Sequence, residues 1–239
     1  GLGALEVNTT VSNKGLHGEK IPVPDGDIAD FAVLLARSDN AGTGLYLVDL
    51  TATGVARSTL NSMDPSRSQA RLVFDGAAAS PLGGGTDGQA ALTQLLDKAA
   101  VLFAFEQIGG GQAAMDMGMA YTKQRFAFGR PIASFQAIKH KFADMFVALE
   151  LARANAYYGA WAMSCDAPDL PLAAATARVS ASDAYYQITR ENIQAHGGMG
   201  FTWEFDCHLY YRRAQLLSGV IGTQPQWKEA IASRLISAA

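Results

Sequence analysis

The chain has 239 residues, 49% apolar and 17% charged, a balance that excludes a disordered or low-complexity polypeptide. Its 11 Phe, 8 Tyr and 3 Trp are enough large side chains to fill one or two cores. The net charge of −3 offers no overall attraction to nucleic acid or anionic membrane, and no apolar run reaches the roughly 18–20 residues that span a bilayer.

The opening GLGALEVNTT has no cationic stretch followed by an apolar one, so it does not read as a signal peptide. Cys165 and Cys207 form no CxxC pair and match no zinc spacing with the four histidines. They read as two reduced, buried thiols of a cytoplasmic protein. Charge is unevenly spread. Residues 1–90 carry 6 basic and 10 acidic side chains, whereas residues 91–239 carry 13 and 12. Five cations and no acid fall between Lys123 and Lys141. The chain is two things joined together.

The first 80 residues read as β structure. The runs ALEVNTTV, HGEKIPV, FAVLLAR, TGLYLVDL and ARLVFDG are separated by turn signals at residues 12–15, 24–27 and 39–42. That rhythm predicts a small barrel or sandwich. The glycine-rich segment 81–88 reads as a linker, which places a β domain over residues 1–85 and a helical domain over 86–239.

Beyond the linker the apolar period lengthens to about 3.6. Leu92, Leu95, Leu96, Ala99, Leu102, Phe103 and Glu106 begin a helix that runs to about Arg125. Three glycines, 109–111, lie inside it, and such a cluster marks a close approach of backbone or ligand, or a kink. Pro131 and an N-cap at Ser134 open a second helix, whose stripe is Phe135, Ile138, Phe142, Met145, Phe146 and Leu149, continuing to Tyr157 and Trp161. An alanine-rich third helix runs from about Leu172 to His196 and ends at Gly197–Gly200, and two shorter helices fill 203–218 and 224–238. Long helices with short connections form a bundle.

Three clusters could carry chemistry. In Arg125-Phe-Ala-Phe-Gly-Arg-Pro-Ile132 with Gln136, an arginine and an aromatic at a helix junction could grip a pyrophosphate, or form a solvated basic turn. In Gln194-Ala-His-Gly-Gly-Met-Gly-Phe201, three glycines exceed what one C-cap needs and suggest backbone pressed against a ligand or another chain. The segment neither follows a strand nor opens a helix, so it fails the context of a dinucleotide-binding βαβ loop. His196 reads as structural rather than catalytic. In His208-Leu-Tyr-Tyr-Arg-Arg213 the paired arginines could bind phosphate or face carboxylates across a subunit contact. No nucleophile–base pair, metal motif or Walker loop is present.

Taken together and in order, these segments resemble the acyl-CoA dehydrogenase family. Gly18-Glu19-Lys20 with Pro24-Asp25-Gly26 and Ala29-Asp30 is similar to the start of that family's middle β domain. Arg125-x-x-Phe128-Gly129-x-Pro131-Ile132 with Gln136, and Gln194-x-x-Gly197-Gly198-x-Gly200-Phe201, are similar to two of its flavin-contacting segments. The wording from Gly200 to Arg213 resembles bacterial, particularly actinobacterial, members that handle bulky acyl-CoA thioesters such as steroid side chains.

The resemblance implies an α+β multidomain fold, a small β-barrel followed by an all-α four-helix bundle, assembled as a homo- or hetero-oligomer (dimer or tetramer). It implies FAD as cofactor, acyl-CoA as substrate and an electron-transfer flavoprotein as acceptor. Arg125 and Phe128 would bind the FAD of a neighbouring subunit, Gln194, Gly197 and Gly198 would reach the same flavin from the other chain, and Thr223 matches a further flavin-contacting position. The family's N-terminal helical domain has no counterpart in the 239 residues, which the resemblance therefore reads as a truncated or partial chain.

The family reaction takes a proton from Cα of the thioester while Cβ delivers hydride to the flavin, and it needs a carboxylate base. This chain departs from the pattern there. Ile221 stands where the usual base precedes Gly222-Thr223, and Ala99 stands at the alternative position, 26 residues before Arg125. Glu106, one heptad after Ala99, lies about 10 Å further along the helix and reads as half of an ion pair. Two readings follow: a dehydrogenase, alone or as a subunit whose partner supplies the base, or a base-deficient structural or regulatory subunit.

Overall fold

A computed structural model describes residues 7–38, 42–83 and 88–238. The expected turn at 39–41, the start of the first β run (residues 4–6) and linker residues 84–87 lie outside the described residues. The chain divides into two compact units, Gly1–Leu95 and Leu96–Ala239.

The first unit is one seven-stranded sheet. Its strands are β1 (Thr10–Ser12), β2 (Gly15–Pro24), β3 (Phe31–Ser38), β4 (Gly42–Asp49), β5 (Val55–Leu60), β6 (Gln69–Ala77) and β7 (Ser80–Pro81), in the spatial order β5-β6-β2-β1-β3-β4-β7. All pairings are antiparallel except β1 with β3. Alternation selects the core: Leu34 and Ala36 of β3, Tyr46 and Val48 of β4, and Ala70, Leu72 and Phe74 of β6 join Leu16 in a single cluster. The sequence reading missed β5. VARSTL carries only two large apolar residues and its side chains are half-buried or exposed, so it shows no apolar alternation; its pairing with β6 makes it a strand.

The second unit is built on three long helices, α1 (Gly88–Gln124, its first turns belonging to the first unit), α2 (Gln136–Ser164) and α3 (Leu170–His196), followed by α4 (Cys207–Gly219) and α5 (Gln224–Ala238). A hairpin of β8 (Phe126–Ala127) and β9 (Arg130–Pro131) joins α1 to α2. The core seam pairs bulky and small residues: Ile108 and Met115 from α1, Met145 and Leu149 from α2, and Ile188 from α3 among nine alanines and glycines of the same faces. Small residues let the helix axes approach closely, and a Cβ on Gly110 would sit 2.6 Å from Tyr185 Oη. The glycine cluster therefore marks a close approach in an unbroken helix.

Three expectations need correction. Ser134 is not the N-cap of α2: it sits in a short 3-10 turn, Ile132–Ser134, and its hydroxyl donates to the Pro131 carbonyl (2.7 Å), while Phe135 holds the cap position. The α2 stripe is only partly buried. Met145 and Leu149 face the core, but Phe146, Tyr157 and Trp161 are exposed, and the seam continues through Ala152, Ala156, Gly159 and Ala162. Of the two free cysteines, Cys207 is buried as expected, but Cys165, at the end of α2, is exposed.

Candidate functional site

The α1–α2 connection is a two-residue hairpin turn with positive φ at both central residues, Phe128 (54°) and Gly129 (77°). Glycine adopts this freely, but phenylalanine does so at a conformational cost, and a strained residue persists where surrounding structure demands it. The turn holds the Phe128 ring 94% exposed, edge-on to Phe135 at 6.2 Å. Arg130 lies over the opposite partner, its guanidinium 4.0 Å from the Phe135 ring centroid. Arg125 closes the base of the hairpin, its carbonyl accepting from Ile132 N (2.8 Å), and its side chain is exposed.

At the end of α3 the three glycines behave differently. Gly197 takes φ 59°, ψ −138° and terminates the helix. Gly200 is pressed against the chain, an added Cβ falling 2.5 Å from the Ile193 carbonyl oxygen. At Gly198 an added Cβ would meet nothing within 4 Å. Neither cap nor packing accounts for that residue.

The two segments meet. A groove of about 560 Å³ is lined by Arg125, Phe128, Phe135 and Ile138 on one side and by Gln194, Gly197 and Gly198 on the other. Both motifs therefore line one groove within a single chain. Thr223 is not brought to this groove: it stands before α5, where its backbone N–H donates to Gln226 Oε1 (2.8 Å). No side chain caps α2, whose first turn contributes Ile138 to the groove wall, and a helix N-terminus favours negative charge. The groove offers an exposed guanidinium, a helix start, unencumbered backbone and an aromatic lip. That set suits an anionic ligand bearing a flat ring, so the residues present fit the diphosphate and adenine end of a flavin dinucleotide.

His196 lies in the wall, buried, with its Nδ1–H donating to the Asn192 carbonyl (2.8 Å) and its ring stacked on Tyr121 at 4.2 Å. That bond and that stacking hold the ring in place. Glu106 is also accounted for: its carboxylate accepts from Arg213 Nη1 at 2.9 Å. The carboxylate facing Arg213 thus comes from the same chain, and Arg212 instead places its guanidinium 5.0 Å from the Trp203 ring centroid.

One residue escaped the sequence reading. Arg178 is 1% exposed, donating to Gln107 Oε1 (3.0 Å) and to the Leu217 carbonyl, while Gln107 donates to Ser182 Oγ (2.9 Å). Burial pulls its guanidinium down to about 10, with nearby Glu106 opposing. An arginine inside an alanine-rich helix reads as surface, and only the end of α4 reveals what it holds.

The family model for the C-terminal domain of acyl-CoA dehydrogenases matches residues 86–236. The chain belongs to the acyl-CoA dehydrogenase family, a family of oxidoreductases. It is 40% identical over 192 residues to acyl-CoA dehydrogenase IpdE2 of Mycobacterium tuberculosis, covering 80% of this chain and 53% of that protein. It is 31% identical to the human mitochondrial short-chain specific acyl-CoA dehydrogenase, covering 99% of this chain and 60% of the relative. Among solved structures, butyryl-CoA dehydrogenase from Megasphaera elsdenii superposes with a TM-score of 0.87 at 27% identity, over 97% of this chain and 63% of that one. A variant of the Tcur3481–Tcur3483 steroid ACAD gives 0.86 at 27%, over 96% and 62%. The chain spans little more than half the length of these curated relatives.

Proposed function

We propose that the chain is the FAD-binding part of an acyl-CoA dehydrogenase that introduces an α,β double bond into an acyl-CoA thioester. The observation that carries this reading is the single groove in which Arg125 and Phe128 meet Gln194, Gly197 and Gly198. FAD, when bound, supplies the hydride acceptor. The protein's residues do the holding: Arg125 offers bidentate donors to a diphosphate, Gly198 leaves the backbone open to approach, and Phe128 covers a flat ring. Thr223 adds a flavin contact in the assembled protein. Similarity to a two-component steroid ACAD supports a bulky acyl group as substrate and an oligomeric assembly, and similarity to a structure described as an electron transferring flavoprotein of Acidaminococcus fermentans supports an electron-transfer flavoprotein as acceptor. A cytoplasmic location completes the reading.

Proton abstraction is where this chain needs help. Ile221 and Ala99 accept no proton, and Glu106 is engaged by Arg213. We therefore favour a subunit whose partner supplies the base, with a purely structural or regulatory subunit as the second reading. Two measurements test these claims. Arg125→Ala should lower the flavin retained on purification, read as FAD absorbance per chain; unchanged content would count against the groove. The chain alone should not oxidise acyl-CoA with an artificial electron acceptor and should do so with a partner subunit. Robust activity alone, abolished by Glu106→Gln, would assign the base to Glu106.

A further inference from the structure

The first unit holds a hollow of about 370 Å³, bounded by β2, β3, β4, β6 and the first turns of α1. Its lining is hydrocarbon with one exception. β3, β4, β6 and α1 contribute only apolar side chains, Val33, Leu45, Leu72 and Leu95 among them, and β2 adds Lys20. Lys20 pairs in register with Leu72, a core residue 1% exposed, so this lysine stands on the face of the sheet that builds the core. The adjacent Glu19 points to the other face, where its two oxygens accept from Arg71 at 2.6 and 2.8 Å. Among the described residues no carboxylate pairs with the Lys20 ammonium. The rim is apolar as well: Ile21, Val33 and Leu95 are each about half exposed.

A half-buried cation among hydrocarbon gives up solvation and, without a counter-charge, recovers nothing. Burial accordingly pushes the Lys20 amine below the ordinary lysine range. The uncharged amine is the nucleophilic form, and desolvation in an apolar pocket is one of the ways a lysine is activated. The hollow supplies the second requirement. Its volume lies at the lower end of the roughly 300–1,000 Å³ of small-molecule sites, and its walls suit a hydrocarbon chain. A chain seated there holds an electrophilic carbonyl at its end beside the amine, which raises the effective concentration of the two reacting groups.

We propose that Lys20 is a self-acylation site, which takes the apolar acyl group of an acyl thioester whose chain lies in this hollow. The lone pair of Lys20 Nζ attacks the thioester carbonyl carbon, an N–C bond forms and the C–S bond breaks. The sulfur leaves as a thiol with the proton that the nitrogen gives up, and no oxidant or reductant takes part. The product is an amide, which removes the one charge from the wall. The choice of a thioester as donor rests on the proposed function; the hollow and its amine do not.

The experiment incubates the full chain with the octanoyl or the acetyl thioester of N-acetylcysteamine, a donor without a nucleotide, and follows each lysine by peptide mass spectrometry. Lys14, exposed in the turn before β2, is the internal reference. Octanoylation of Lys20 is expected to run roughly tenfold or more faster than that of Lys14, as a seated chain predicts. Lys20 should prefer octanoyl to acetyl, and Lys14 should not. Lys20→Arg, which keeps a cation but not the nucleophile, should abolish the fast reaction. Val33→Asp, altering a half-exposed wall residue, should slow it and leave Lys14 unchanged. Equal rates at Lys20 and Lys14 overturn the proposal, as does acetyl reacting at Lys20 as fast as octanoyl. So does protection of Lys20 from a general amine reagent by the octanoyl thioester with no amide formed, which would leave a binding hollow only. Arg125→Ala should change none of these rates, so a failed flavin reading and a failed acylation are told apart by measuring FAD absorbance on the same samples.

Discussion

Gly197, Gly198 and Gly200 stand within four residues yet answer to three constraints: a left-handed helix end, an open approach and a backbone contact. The separation is testable. Gly198→Ala should leave stability within about 0.5 kcal/mol, because its Cβ meets nothing, while lowering FAD retention. Gly200→Ala should cost about 1–3 kcal/mol in denaturant unfolding, because its Cβ would collide with the Ile193 carbonyl. Equal effects of the two would remove the distinction between ligand-facing and packed glycine. Glu106 belongs at this scale too. Its pair with Arg213 is partly solvated, so Glu106→Gln should change stability by less than about 1 kcal/mol. Glu191 is different. Burial by itself would raise its carboxyl, but Lys141 and Arg190 outweigh that and hold it below the usual range. A depressed carboxyl contributes stability that is fully present above the unfolded value of about 4.3 and is lost as pH falls through the lower folded value. Lys141→Met should therefore flatten the acid side of the stability profile, measured by thermal unfolding between pH 3 and pH 6 (roughly the carboxylate range).

At the scale of elements, the helices were legible and their faces were not. α1, α2 and α3 announced themselves by periodicity, and their ends fell within a few residues of expectation. The buried faces contradicted hydropathy in places. On α1, Leu95 and Leu102 are exposed while Asp97 and Gln107 are buried. The physical reason is that each buried polar residue has a distant partner: Arg234 of α5 for Asp97, and Arg178 of α3 for Gln107. On α2 the large aromatics mark the outside because alanine and glycine, which hydropathy weighs lightly, allow the close approach of α3. The missed β5 has the same origin. It is an edge strand whose register comes from β6 rather than from its own pattern.

At the scale of the second unit as a whole, Asp97 and Arg234 tie the first long helix to the last. The pair is nearly buried, with the guanidinium 2.9 Å from Asp97 Oδ1. Burial raises the Asp97 carboxyl even though Arg234 opposes it, so desolvation outweighs attraction. Arg234→Met should cost about 3–5 kcal/mol by leaving a buried carboxylate unpaired, whereas Asp97→Leu combined with Arg234→Met should recover much of that loss. A double variant as unstable as the single one would show that the pair, not the desolvated charge, holds the helices.

From the linear chain alone came the two-part organisation, the helical periodicity and, through three motifs in order, the family; each depends on local residue type and spacing, which survive without a third dimension. That Ile221 and Ala99 carry no carboxylate was legible in the same way. Tertiary structure decided what needs distant residues to meet. It joined Arg125 and Phe128 to Gln194 and Gly198 across about 70 residues of chain, engaged Glu106 with Arg213, and buried Arg178 against the end of α4. Partner and burial are properties of packing, and no window along the sequence contains them.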